Sequence, residues 1–347
     1  MNWSAPPASP EWLTAALRAH GPAIEVTGVI PGRVDTRIST NAFFRIETKG
    51  PLPDGMPADL CGKGYFTDTG NWDYRAAGEP EAAFYRDMVE PLGVPTLQCV
   101  YADVDTGTRH GVVITEDASV RGARFGEPLN PHSPTQVASS LDLYADMHAR
   151  TWNAPVVAEA TYLSARIAST MGVRSVSDIQ DQFDGPVGSA VPPEGRDSEG
   201  LVAAYGTLPA IAEASPAWCL IHGDAHIGNT YIDGAGRPRL LDWQLVQKGP
   251  WYLDVGYQIA SALTVEDRRQ AERDLLDGYT ERLAAGGAPR PSRDEIWFGY
   301  CCGIVYGTYL WSITQKVRPD RTTALLGRLG TAALDHDAYR VVAAGGP

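Results

Sequence analysis

Asp224, Asn229 and Asp242 are the residues of this chain whose types and spacing could do chemistry together. The first two stand five residues apart in His222-Gly223-Asp224-Ala225-His226-Ile227-Gly228-Asn229. Asp242 follows in Leu240-Leu241-Asp242-Trp243-Gln244, eighteen residues beyond Asp224. Phosphoryl transfer needs one carboxylate to orient the attacking hydroxyl, and an amide and a second carboxylate to hold Mg²⁺. One short loop can carry the first two. A hairpin can return the third: Tyr231-Ile232 and Arg239-Leu240-Leu241 suit its strands, and Asp233-Gly234-Ala235-Gly236 suits its turn. His222 and His226 could ligate a metal from a helix, but Gly223 and Gly228 argue for a loop, where histidines pack or hydrogen-bond.

Composition narrows the partners. The 347 residues include 29 basic and 42 acidic side chains, a net charge of −13. That disfavours nucleic acid, whose phosphates call for clustered Lys and Arg. It suits a cationic ligand, although solubility explains it as well. Five cysteines, an odd number with no Cys-x-x-Cys, speak against a disulfide framework or a zinc site. Met1 to Pro10 lacks the charged and apolar regions of a secretory signal. Ile296 to Gln315 is uncharged, but its glycines and tyrosines fit a buried helix better than a membrane span. A cytoplasmic protein without membrane insertion is expected.

The elements that must position the loop fall into two groups. Ser9-Pro10-Glu11 starts a helix that runs to His20 and ends at Gly21-Pro22. Ile24–Ile30, Ala42–Thr48, Asp59–Gly62 and His110–Thr115 suit a small antiparallel sheet, interrupted by a helix over Gly78–Val89. From about Pro134 the pattern turns helical: Thr135–Trp152, Glu199–Ala214, Val255–Leu263, Glu266–Ala285, Arg293–Gln315 and Thr322–Val341, with 183–200 as a loop.

The catalytic-type loop and the Asp242-Trp243 pair together resemble the aminoglycoside phosphotransferase and choline kinase superfamily, within the protein-kinase-like fold. Those families carry His-Gly-Asp-x-His-x-x-Asn followed by Asp-Trp or Asp-Phe, and the ecdysteroid-kinase-like branch is the nearest in pattern. The resemblance implies an α+β, bilobal fold: a nucleotide-binding lobe over residues 1–116 and a helical lobe over 117–347. It implies ATP and Mg²⁺ as cofactors, Asp224 as the catalytic carboxylate, and Asn229 and Asp242 as metal ligands. Lys63 would meet the phosphates and pair with Glu81, which opens a Glu-x-x-Phe-Tyr pattern. Glu79 competes with Glu81 for that role. Alone, Lys63 and Glu81 would read as solvated residues. The linker strand would end at Glu116-Asp117 and offer backbone groups to adenine. The phosphate-covering segment Gly32–Asn41 departs from the Gly-rich pattern of protein kinases. Ser39, Thr40 and Asn41 could serve there, and an ordinary hairpin turn fits equally. His148 and Asp254 match structural residues of the family.

The implied reaction moves the terminal phosphoryl group of ATP to a hydroxyl of a small molecule: an antibiotic, an aminoalcohol, a lipid or steroid, or a hydroxyacyl compound. A catalytically weak nucleotide-binding regulator is the alternative. A protein kinase is disfavoured, because no Ala-Pro-Glu-type segment follows Asp242.

Overall fold

The computed structural model describes residues 9–20 and 24–345; the expected helix stop at Gly21-Pro22 lies outside the described residues. The chain divides into two compact units. One comprises Met1–Arg124 with Tyr231–Gln244, the other Phe125–Thr230 with Leu245–Pro347. This division differs from a single cut after residue 116, because the segment holding Asp242 is bonded into the first unit. The Leu240 amide donates to the Pro95 carbonyl, and Thr96 Oγ1 donates to the Leu240 carbonyl at 2.9 Å.

In the first unit a five-stranded antiparallel sheet has the order β1-β2-β3-β5-β4. Its strands are β1 (Val26–Thr36), β2 (Thr40–Thr48), β3 (Asp59–Gly64), β4 (Cys99–Asp105) and β5 (His110–Glu116). Alternation makes β2 half-buried: Ala42, Phe44 and Ile46 face inward between less buried neighbours. Phe44 and Ile46 join Leu13 and Leu17 of α1 (Pro10–His20), Leu60, Tyr101, Val112 and Ile114 in one core. β5 is buried from His110 through Thr115. α2 (Glu79–Asp87) packs against β4 and β5 and buries Ala82, Ala83, Phe84 and Tyr85.

Two strand expectations needed correction. β4 was absent from the sequence reading, since Asp103 and Asp105 interrupt its apolar character; as an edge strand it needs only β5 as a partner. β1 extends past Ile30 through Pro31 to Thr36, with register shifts that an edge strand tolerates.

The second unit is mainly helical. Helix Pro134–Thr151 starts on a capping box of Ser133 and Gln136. Helices Ser198–Ala214, Tyr252–Ala262, Val265–Ala285 and Arg293–Ile313 lie within a residue or so of their sequence-derived starts, except that Tyr252 begins its helix three residues earlier. The region read as loop, 183–200, holds the end of helix Val176–Asp184, two short turns at Pro186–Ala190 and Pro193–Gly195, and the start of helix Ser198–Ala214. The final helical stretch breaks at Asp337, whose φ is 49°, into Pro319–Asp335 and Ala338–Ala343. The uncharged run near Ile296 is a buried helix that packs on Tyr252–Ala262. Gly256 and Gly303 permit that approach: a Cβ on Gly303 would lie 2.4 Å from the Tyr252 carbonyl oxygen. No helix among the described residues is long and apolar enough to cross a membrane.

Candidate active site

Three of the expected residues meet within the first unit. Lys63 projects from β3, Glu81 from the first turns of α2, and Asp242 follows the hairpin strands Thr230–Ile232 and Pro238–Leu240. Lys63 Nζ lies 2.6 Å from Asp242 Oδ1 and 2.7 Å from Glu81 Oε2. Burial opposes the ammonium charge, but Asp242 and Glu81 outweigh it and hold Lys63 well above its ordinary range. Burial raises Glu81, Lys63 pulls it back, and Asp242 adds to the rise. One cation thus faces two carboxylates, and the lysine stays charged. Glu79 pairs instead with Arg109.

Trp243 anchors the Asp242 segment. Its amide donates to Glu81 Oε1 at 3.1 Å, its indole donates to Thr96 Oγ1 at 2.9 Å, and its ring lies 4.4 Å from that of Phe84. Asp242 itself has a φ of 63°, in the left-handed region. Asp tolerates that conformation better than most residues.

Asp224 and Asn229 belong to the second unit, on a loop held by hydrogen bonds to a buried carboxylate, to imidazoles and within its own backbone. Buried Asp254 accepts the amides of His222 and Gly223 at 2.7 and 2.9 Å. His148 Nε2 approaches Asp254 at 3.3 Å, and His148 Nδ1 lies 2.7 Å from the Tyr279 hydroxyl. Asp254, in the first turn of helix Tyr252–Ala262, therefore supports the loop, in line with the structural role expected of it. His222 Nδ1 accepts the Asp224 amide, and His226 Nδ1 accepts the Gly228 amide. These bonds give both histidines loop-holding roles. Asn229 Nδ2 donates to the Asp224 carbonyl at 2.8 Å, which orients the side-chain amide. Gly223 has a φ of 77°, and a Cβ there would stand 2.2 Å from the Leu245 carbonyl oxygen.

Asn229 and Asp242 offer hard oxygen atoms of the kind Mg²⁺ takes. Among the described residues no group of three or more His, Cys, Asp or Glu could hold a metal.

The other expected residues lie in the first unit, outside the Lys63 cluster. Thr40 starts β2, fully buried; its hydroxyl donates to Thr69 Oγ1 and accepts from Asn71 Nδ2. Ser39 stands at the hairpin tip between β1 and β2, and its hydroxyl makes no hydrogen bond among the described residues. Most of Gly32–Asn41 is strand, leaving Arg37–Ser39 as the turn. Glu116 ends β5; its carboxylate accepts from the Gln98 amide and Arg121, and its own amide donates to the Gln98 carbonyl. The amide of Asp117 is likewise taken, by the Asp59 carbonyl.

Residues 73–291 match the model of the phosphotransferase enzyme family. The chain belongs to this family. No curated protein matches it in sequence. Among solved structures, a choline kinase from Cryptosporidium parvum Iowa II is similar with a TM-score of 0.53 at 12% identity, covering 97% of each chain. Spectinomycin phosphotransferase APH(9)-Ia, solved with ADP and spectinomycin, gives 0.50 at 11% identity, covering 96% of this chain and 99% of that one. A choline/ethanolamine kinase family protein from Mesorhizobium loti gives 0.49 at 17% identity, covering 97% and 99%. The fold is the expected kinase-like α+β fold, with the antiparallel sheet in one unit and the larger helical portion in the other.

Sequence reasoning missed two side chains beside Asp224. Tyr257 donates to Asp224 Oδ1 at 3.2 Å, and Trp311 donates to the Tyr257 hydroxyl at 2.6 Å. Tyr257 stands one helical turn after Asp254, and Trp311 belongs to a helix whose aromatic content was evident. Their meeting depends on how two distant helices pack, which no local motif encodes.

Proposed function

We propose that this phosphotransferase moves the terminal phosphoryl group of ATP to a hydroxyl of a small molecule. The observation that carries the proposal is the Lys63–Glu81–Asp242 cluster in a family member whose His-Gly-Asp-x-His-x-x-Asn loop is intact. Lys63, held by Glu81, meets the nonterminal phosphates, and Ser39 with the hairpin tip is better placed than Thr40 to add phosphate contacts. Linker backbone groups around Glu116 other than the amides of Glu116 and Asp117, which are taken, serve adenine. Asn229 and Asp242 hold Mg²⁺, which when bound neutralises phosphate charge. Asp224 accepts the hydrogen bond of the acceptor hydroxyl and positions it for in-line attack. Positioning and charge neutralisation then do most of the work, without a covalent intermediate.

Residues 1–116 act as the nucleotide lobe and 117–347 as the acceptor lobe in this reading. Within the family we assign the ecdysteroid-kinase-like branch, on the catalytic loop and the Asp242-Trp243 pair. The protein works in the cytoplasm, on small molecules rather than nucleic acid.

The test is ADP release from Mg-ATP against aminoglycosides, macrolides, aminoalcohols, sterols and hydroxyacyl-CoA, with Asp224→Asn run in parallel. Turnover with one class, lost in the variant, supports the proposal and names the acceptor type. Mg-ATP binding without turnover on any class would favour a nucleotide-binding regulator.

A further inference from the structure

Tyr257 and Trp311 form a hydrogen-bond chain whose direction is fixed by chemistry. The Trp311 indole N–H donates to the Tyr257 hydroxyl oxygen at 2.6 Å, and an indole can only donate. The phenol then has one hydrogen to give, and Asp224 Oδ1 at 3.2 Å is the acceptor it reaches. Burial and the Asp224 charge push Tyr257 well above its ordinary range, so it stays protonated and remains a donor.

The second carboxylate oxygen is also addressed. His226 Nε2 lies 3.8 Å from Asp224 Oδ2. Because His226 Nδ1 accepts the Gly228 amide at 3.0 Å, the neutral ring carries its proton on Nε2, toward the carboxylate. The ring is itself held edge-on to Trp311, with centroids 5.1 Å apart, and tilted against Tyr257 at 6.0 Å. The same aromatic pair therefore supplies the phenol donor and steadies the imidazole.

This arrangement answers a specific need. The last torsion of an aspartate is broad and two-fold, so packing alone does not set the carboxylate plane. A carboxylate that must receive a hydroxyl proton in line with attack needs that plane fixed. Phe at position 257 would fill the same core volume without supplying a donor. We infer that Tyr257, oriented by Trp311, is the positioning residue that fixes the Asp224 carboxylate for the acceptor hydroxyl. The inference rests on the kinase reading for its consequence, though not for the existence of the chain.

Two measurements test it. Tyr257→Phe lowers kcat about tenfold, with KM for ATP and for the acceptor unchanged within about twofold. Trp311→Phe has a smaller effect, and adds none in the Tyr257→Phe background. Independently of turnover, the Trp311 indole N–H resonance of ¹⁵N-tryptophan-labelled protein moves upfield in Tyr257→Phe. It also moves, by less, in Asp224→Asn, where only the far end of the chain is altered. An indole resonance unmoved in both variants overturns the inference. So does an unchanged kcat in Tyr257→Phe, or a loss expressed as raised KM with a lowered Tm, which marks packing alone. If wild type turns over no acceptor, the kinase reading falls while the resonance comparison still decides whether the chain exists.

Discussion

The two regions that hold the candidate site residues are built from different interactions. In the first unit, Lys63 lies within 3 Å of carboxylate oxygens of both Glu81 and Asp242, a cluster of full charges. In the second, Asp224 sits among backbone amides, imidazoles, a phenol and an indole. In the proposed reaction, charged partners suit groups that exchange one another for phosphate and metal when nucleotide arrives. Neutral, directional donors suit a carboxylate that must keep one orientation and its own charge. A cation beside Asp224 would draw electron density from its carboxylate, whereas a phenol donor orients it at lower cost to basicity.

Substitutions that touch one region alone break the comparison most clearly. Asp224→Asn is expected to cost about 10³-fold or more in kcat, the scale seen when a reaction-centre group is lost, while ATP affinity stays at the wild-type value. Steady-state kinetics beside nucleotide titration checks it; equal losses in both would merge the two regions. Gly223→Ala comes next. Its φ and the approach to the Leu245 carbonyl force the loop to shift, at a cost of at least about 2 kcal/mol. Thermal unfolding should show the loss, and residual activity should fall with nucleotide affinity preserved.

The smallest effect concerns pH and lies in the first unit. Burial pushes His110 down to about 4, while its ring accepts the Tyr65 amide at 3.0 Å. The unfolded chain takes up that proton near the ordinary histidine value, the folded chain only near 4. Stability from this group is therefore present above about 6.5 and lost as pH falls toward about 4, on the order of 2 kcal/mol. His110→Gln keeps an acceptor for the amide and should flatten the acid limb of Tm against pH. An unchanged slope would locate the acid sensitivity elsewhere.

Much of this was legible because it is local. The loop from His222 to Asn229, the hairpin after it and the amphipathic alternation of β2 are written in adjacent residues. The Glu81 partner of Lys63 was legible through the pattern at the start of α2. What escaped depends on neighbours far away in the chain. β4 is a strand because β5 offers it a ladder, despite its aspartates. The Gly32–Asn41 segment is mostly strand because β2 pairs with it, and Asp242 joins the first unit through its bond to Lys63, far away in the chain. Tyr257 and Trp311 meet across two helices whose contact is set by glycines at 256 and 303.

The central claim is the separation of roles: nucleotide phosphates on Lys63 with Glu81, metal on Asp242 with Asn229, acceptor orientation on Asp224. Calorimetric titration with ATP, with and without Mg²⁺, of wild type, Asp224→Asn and Asp242→Asn tests it most directly. The account predicts that Asp224→Asn binds as wild type does, while Asp242→Asn loses the Mg²⁺-dependent part of the affinity. Equal loss in both variants, or full Mg²⁺-dependent binding by Asp242→Asn, would contradict it.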